Sequence, residues 1–149
     1  MLNPDFRDIL SIFCEERVDF LLVGAYALAV HSQPRATGDI DLWIRCSEKN
    51  AHAVWRSLKK FGTPLFDLTL EDLQTSGIVF QIGVVPSRID ILTMIDGVLF
   101  DEAWEQRQEV EIEGMSIFVI SRQHFIQNKK AAGRPKDLAD VNWLENEDD

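Results

Sequence analysis

Two aspartates separated by one residue, Asp39 and Asp41, lie in an apolar run and are the residues in this sequence best placed to do chemistry. If residues 39–44 form a β-strand, both carboxylates point to the same face, because side chains alternate along a strand. Two neighbouring negative charges repel each other, and a divalent cation would make the arrangement favourable. The pair therefore predicts a metal site on one face of a strand.

A third acid, Asp90, lies in a second apolar run, with Ile89 and Ile91 on either side. In a strand, Asp90 faces away from both isoleucines. If the two strands are neighbours in one sheet, the three carboxylates converge. Carboxylate oxygens suit Mg²⁺ or Mn²⁺, which commonly bridge protein carboxylates and substrate phosphates. The reaction class indicated is phosphoryl or nucleotidyl transfer.

Each of these acids also has an ordinary structural explanation. An Asp-x-Asp motif can be no more than a solvated strand edge, since short motifs have many false positives. Asp90 can be the ion-pair partner of Arg88 or the cap of a neighbouring turn.

The elements that must position the acids follow from apolar spacing and turn residues. The first half of the chain reads as a β-turn-α-β-α unit preceded by a helix. The predicted elements are a helix over about 4–17, a strand at 20–23, a short helix at 25–31, a strand at 39–44 and a helix capped by Ser47 that ends near 61–62. Gly24 falls at the strand-to-helix turn, where a backbone can approach a phosphate closely at a helix N-terminus.

The second half of the chain predicts shorter elements. They are a hairpin made of runs 78–85 and 88–93, a short helix around 102–107, a hairpin through Gly114 and two helices divided near 133–135. With 149 residues, 46% of them hydrophobic, and no repeat or linker, the chain is expected to form one domain over 1–149.

The net charge of −10 argues against a surface that wraps duplex nucleic acid. Positive charge is nevertheless concentrated near the C-terminus, which leaves room for a local anion site. The basic residues there are Arg122, Lys129, Lys130, Arg134 and Lys136. The equally plain alternative is a solvated helix face whose basic groups pair with Asp137 and Asp140.

The longest apolar stretch, residues 20–30, is too short to cross a bilayer, and the N-terminus lacks the features of a signal peptide. We therefore expect a cytoplasmic protein with no membrane partner.

The residues so far resemble a known group of enzymes. Gly24-Ala25 followed by Asp39-Ile40-Asp41 is similar to the pattern of the DNA polymerase beta-like nucleotidyltransferase superfamily. The fuller phrase, with His31, Pro34, Arg35 and Thr37, resembles small prokaryotic minimal nucleotidyltransferases, including those related to abortive-infection toxins. Segments 125–129 and 134–140 resemble the closing helical motif of that group. The resemblance implies an α/β (α+β) nucleotidyltransferase fold, in which helices flank a small mixed sheet and further helices close the C-terminus.

The resemblance also implies roles for individual residues. Asp39, Asp41 and Asp90 would be catalytic and would hold Mg²⁺ or Mn²⁺, with Asp90 assisting the attacking hydroxyl. The residues implied to bind the nucleoside triphosphate are Gly24, Ala25, Arg35, Lys129, Arg134 and Lys136. Asp137 and Asp140 would orient those basic groups.

The acceptor and the activity stay open. The resemblance implies a protein partner such as a toxin, or a tRNA end, and the acidic composition makes RNA the less favoured of the two. Position 25 departs from the superfamily, where Gly or Ser is usual, so that Ala25 offers only a backbone donor. The alternative function is therefore a binding subunit of nucleotidyltransferase-like fold with little or no catalytic activity.

Overall fold

In the computed structural model, which describes residues 2–32 and 38–146, the chain forms a mixed sheet with helices packed against it. The helices are α1 (Pro4–Glu15), α2 (Gly24–His31), α3 (Glu48–Phe61), α4 (Phe100–Glu105), α5 (Arg122–Ala132) and α6 (Pro135–Asn146). The strands are β1 (Phe20–Val23), β2 (Ile40–Ile44), β3 (Val79–Ile82), β4 (Ile89–Leu92), β5 (Gln108–Ile112) and β6 (Met115–Val119). The predicted fold class is confirmed.

Several helix boundaries differ from the prediction by one or two residues, among them those of α1, α2 and α4. Helix α1 ends at Glu15, because Arg17 adopts a left-handed backbone with φ of 58° and cannot continue the helix. Helix α4 begins two residues earlier than expected, at Phe100, whose ring packs edge-on against Trp43 with the centroids 5.0 Å apart.

The six strands lie in the order β3-β4-β2-β1-β6-β5. Strand β2 pairs parallel with β4 and antiparallel with β1, so it is the central strand that connects the two predicted parts of the site. Strands β1 and β6 pair parallel, and the hairpins β3–β4 and β5–β6 pair antiparallel. The sheet is therefore mixed, as expected.

The core lies on both faces of the central strands. All four residues of β1 are buried, and Leu42 and Trp43, which point to opposite faces of β2, are 0% and 1% exposed. Helix α1 buries one stripe, formed by Phe6, Ile9, Leu10 and Phe13, and it packs beside α3. Within the described residues, no helix is both long and apolar enough to span a membrane.

One buried side chain, Asn50 on α3, ties together the start of β1, the end of β2 and α3. Its amide oxygen accepts the backbone N–H of Asp19 at 2.7 Å. Its amide nitrogen donates to the carbonyl oxygens of Asp19 and Arg45, at 3.0 and 2.9 Å. All three groups it serves are backbone groups, which must be paired when they are buried.

We expect Asn50→Leu to lower the free energy of unfolding by about 3 kcal/mol, because the N–H of Asp19 and the carbonyl oxygen of Arg45 lose these partners, whereas the carbonyl oxygen of Asp19 still accepts the N–H of Arg45. Urea denaturation followed by circular dichroism measures the change. His52→Ala, at an exposed position on the same helix, is the control and should change the free energy little. An equally small effect of Asn50→Leu would show that water replaces the lost bonds.

Candidate active site

The parallel register of β2 and β4 brings two of the predicted acids side by side. Asp41 on β2 lies directly opposite Asp90 on β4. Asp39 immediately precedes β2, and its carboxylate accepts the backbone N–H of Arg88 at 3.2 Å, just before β4 begins. The three acids therefore lie together at one place on the sheet, as the sequence predicted. Their roles in catalysis and in metal binding stay predictions.

Gly24 lies directly against this group of acids. It begins α2 with φ of +70°, and the preceding residue, Val23, is the cross-strand partner of Asp41. A Cβ atom built on Gly24 would overlap Oδ2 of Asp41. Glycine is thus required twice, for its backbone conformation and for the space that the carboxylate occupies. The predicted phosphate-binding turn and the acid pair are in contact.

Arg88 is the cation of the site. Its Nε donates to Oδ1 of Asp90 at 2.7 Å and its Nη2 to Oδ2 at 3.1 Å, which is a bidentate pair. The same Nη2 lies 3.1 Å from Oδ2 of Asp39. The pairing of Asp90 with Arg88, which the sequence left open, is present. The ion pair between Arg88 and Asp39 was not expected. A signal for it in the sequence is that Arg88 lies two residues before Asp90, a spacing that puts both side chains on the same face of a strand.

The electrostatics of the site centre on Asp41. Burial, together with the neighbouring carboxyl groups of Asp90 and Asp39, raises the pKa of Asp41 to about 7, even though Arg88 acts to lower it. The pKa of Arg88 is raised, chiefly by its hydrogen bonds to Asp90. One guanidinium therefore compensates only part of the charge of three carboxyl groups.

The residues suit a divalent cation by type, because hard cations prefer carboxylate oxygens and because this group of acids is short of positive charge. The arrangement of these side chains in the structure, however, is not that of a metal site. In residues 2–32 and 38–146, no three side chains of the His, Cys, Asp or Glu types are grouped so that they could hold a metal ion. Arg88 interacts with two of the three acids, so the carboxylates would have to turn to share one ion.

Two of the predicted C-terminal basic residues, Lys129 and Arg134, form a separate cluster with acids of α6. Lys129 on α5 lies 3.3 Å from Asp137 and 3.2 Å from Asp140, both on α6. Arg134 donates to Asp137 at 2.6 Å from Nε and 3.2 Å from Nη2. These hydrogen bonds and charges hold the pKa of Asp137, which is 0% exposed, below its usual range. The pairing of these basic groups with Asp137 and Asp140 is present.

The other predicted nucleotide-binding residues are less informative. Lys136 is exposed, and Ala25 follows Gly24 in the first turn of α2. Arg35 lies outside the described residues. In the described part of the chain, Lys129 and Arg134 form their ion pairs on α6 and not with the three acids. Helix α5 does reach the turn that follows β4, because Gln127 donates to the carbonyl oxygen of Gly97 at 2.7 Å.

Sequence reasoning missed Gln81, which lies opposite Asp90 on β3. Residues directly opposite one another in a sheet share a face, so that Val23, Asp41, Asp90 and Gln81 form one row across four strands. The strand was predicted correctly, but its register with β4 could not be read from the sequence.

The fold is that of nucleotidyltransferases of known structure. A candidate nucleotidyltransferase from Thermotoga maritima, TM1012, matches with a TM-score of 0.63 and 20% identity over 97% of this chain and 96% of that one. The lincosamide antibiotic adenylyltransferase LnuA, in its lincomycin-bound structure, matches with a TM-score of 0.63 and 16% identity over 98% of both chains. No protein-family model and no curated protein matches the sequence at a significant level.

We expect Gly24→Ala to destabilise the protein more than Gly62→Ala, the matched control. Both glycines have positive φ, but only at Gly24 would a Cβ meet another group. Backbone strain alone should cost about 1 kcal/mol at either position, and overlap with Asp41 adds to this at Gly24. Urea denaturation of both variants measures the difference, and equal losses would mean that Asp41 turns aside freely.

The raised pKa of Asp41 makes stability depend on pH. The pKa of this carboxyl is about 7 in the folded protein and about 3.8, its ordinary value, in the unfolded chain. Its contribution to stability is therefore fully present below pH 3.8 and is lost as the pH rises through 7. The free energy of unfolding of the wild type should therefore fall by at most about 4 kcal/mol between pH 4 and 8, and Asp41→Asn should abolish this fall. Urea denaturation in chelator-containing buffers measures it.

The control for this titration is Asp67→Asn, at an exposed position. This variant should keep the pH dependence of the wild type. If Asp41→Asn keeps it as well, the ionisation of Asp41 does not govern stability in this range.

Proposed function

We propose that this chain is a metal-dependent nucleotidyltransferase that transfers a nucleoside monophosphate from a nucleoside triphosphate to a hydroxyl group of a protein or an RNA, within a toxin-antitoxin or phage-defence system. One observation carries the proposal. Asp41 and Asp90 lie side by side on neighbouring strands, Asp39 lies next to them, and the Gly24 turn touches Asp41. Carboxylates beside a helix N-terminus are the groups that a metal-bound triphosphate requires.

Asp39, Asp41 and Asp90 are the residues that would hold Mg²⁺ or Mn²⁺. When bound, the ion would neutralise phosphate charge and favour the ionised form of the attacking hydroxyl. The raised pKa of Asp41 supports this role, because burial beside other acids leaves that carboxyl in need of a cation at neutral pH.

Asp90 is the candidate for orienting the attacking hydroxyl, since it lies in the row that ends at the open edge strand β3. Arg88 would act as a positioning residue, because its bidentate hydrogen bonds restrict the rotation of the Asp90 carboxylate. In this scheme the hydroxyl attacks the α-phosphorus, the bond to the bridging oxygen breaks, and pyrophosphate leaves.

The first turn of α2 would receive the triphosphate. The backbone N–H groups at Gly24 and Ala25 begin a helix of eight residues, whose dipole favours negative charge at this end. Ala25 contributes no side-chain donor, so Lys136, which is exposed, and Arg35 would supply positive charge. Lys129 and Arg134 would act through Asp137, by holding α6 against α5.

A second candidate function is a binding subunit with little or no catalytic activity. It is favoured by one observation, namely that the guanidinium of Arg88 already interacts with Asp39 and Asp90. A chain whose own arginine compensates part of the charge of its acids has less need of a metal ion. Such a subunit would act by pairing with a protein such as a toxin.

The discriminating experiment incubates the purified chain with each labelled nucleoside triphosphate, Mg²⁺ or Mn²⁺, and candidate acceptors, and measures released pyrophosphate and labelled product. The acceptors are a co-expressed partner protein, tRNA and lincomycin, the last because LnuA is a lincosamide adenylyltransferase. We expect Asp39→Ala with Asp41→Ala to lower the rate at least about a thousandfold, since the charge stabilisation lost corresponds to several kcal/mol.

The matched control is Asp67→Ala with Glu71→Ala, which removes two exposed carboxylates and changes the net charge equally. This variant should retain the wild-type rate. If the wild type releases no pyrophosphate and labels no acceptor, while the Asp39, Asp41 double variant still performs the cellular role, then the chain is a binding subunit.

A further inference from the structure

Strand β3 forms one edge of the sheet and carries no charged side chain. Strand β3 is terminal in the sheet, and within the described residues it pairs only with β4. Its sequence, Val-Phe-Gln-Ile, contains no charged residue although the chain has a net charge of −10, and its first side chain, Val79, is 53% exposed. An uncharged edge strand offers its free N–H and C=O groups to another strand.

The other edge of the sheet is protected. Strand β5 presents exposed Glu109 and Glu111, and Glu109 is held in place by a hydrogen bond from Ser116 at 2.7 Å. Charged side chains on an edge strand oppose the addition of a like strand, because equal charges would face each other. Two copies of this acidic chain therefore meet less repulsion at β3 than at β5.

The backbone of β3 is self-complementary. Thr93 on the β4 side donates its N–H to the carbonyl oxygen of Ile78 at 3.0 Å, and these two residues are opposite in the same register as the strand pairs. Because hydrogen-bonded and non-hydrogen-bonded pairs alternate in an antiparallel ladder, residues 80 and 82 also bond to β4, whereas Val79 and Gln81 direct their N–H and C=O groups outwards. Val79 and Gln81, one on each side of Phe80, can therefore form backbone hydrogen bonds with Gln81 and Val79 of a second copy.

We propose that β3 is a self-association edge, at which a second copy of this chain pairs antiparallel about a twofold axis at Phe80. Val79 of each copy then lies opposite Gln81 of the other, and these residues exchange four backbone hydrogen bonds. The two six-stranded sheets join into one continuous sheet. A second copy fits better than an unrelated strand, because the four residues of β3 provide both the matching register and the absence of charge on each side of the pairing.

The pairing would also place the partner beside the acids. Gln81 is opposite Asp90, so the partner's Val79 would continue the row that contains Asp41, Asp90 and Gln81. The second copy would thus form part of the surface next to Asp90. This inference does not depend on the proposed function, because it concerns assembly and can be tested without any substrate.

Two double variants test the edge and its register together. Val79→Lys with Gln81→Lys puts lysines directly opposite each other across the axis, whereas Val79→Lys with Gln81→Glu puts opposite charges there. Sedimentation equilibrium over a wide concentration range measures the dissociation constant of the dimer. We expect the wild type to be a dimer, the first variant to raise the constant at least about tenfold, and the second to stay near the wild type.

Both variants alter exposed side chains, so circular dichroism should show both folded. Glu109→Lys on β5 is the control and should leave the dimer intact. Amide hydrogen exchange adds a second measurement, in which the N–H groups of Val79 and Gln81 become protected as the dimer forms. A wild-type monomer, a dimer insensitive to the paired lysines, or equal weakening by both double variants would overturn the proposal.

Discussion

The crowding of three carboxyl groups around a single guanidinium is the constraint on which the site depends. The parallel pairing of β2 and β4 leaves Asp41 no position except beside Asp90. Arg88 is shared between Asp90 and Asp39, and burial keeps the pKa of Asp41 near 7. The sheet therefore holds a local excess of negative charge at a position that is partly buried from solvent. Such an excess is costly for stability and useful for binding cations.

The rest of the fold makes this cost tolerable by making the backbone around it rigid. Leu42 and Trp43, which follow Asp41, are buried on the two faces of β2, so the strand cannot rotate to move its acids apart. Gly24 closes the other side, where any side chain would collide with Asp41. Functional groups placed on strands of a packed sheet keep their geometry better than groups placed on loops.

Much of this could be predicted from the sequence, for definite reasons. Short apolar runs separated by Gly, Pro and Ser are local signals, and they identified each strand and the N-cap at Ser47. The convergence of Asp39, Asp41 and Asp90 followed once the strands were assumed to be neighbours. Strand order and register are long-range properties, however. Hence Gln81 and the bridge from Arg88 to Asp39, which depend on which residues face each other, were not foreseen.

The basic residues near the C-terminus show the opposite limit. Their composition suggested an anion site and equally a paired helix face, and only the packing of α5 on α6 separates the two. Lys129 and Arg134 interact with Asp137, which is fully buried, so part of the positive charge near the C-terminus is committed to structure.

The Lys129, Asp137 and Asp140 cluster has a consequence for how the chain could be shortened. The side chain of Lys129 is only slightly exposed, and the carboxylates near it come from α6, so a chain that ended before Pro135 would keep this ammonium group without these counter-charges. Helix α5, which reaches the turn after β4 through Gln127, would be weakened with it. Helix α6 is therefore required for the stable packing of α5.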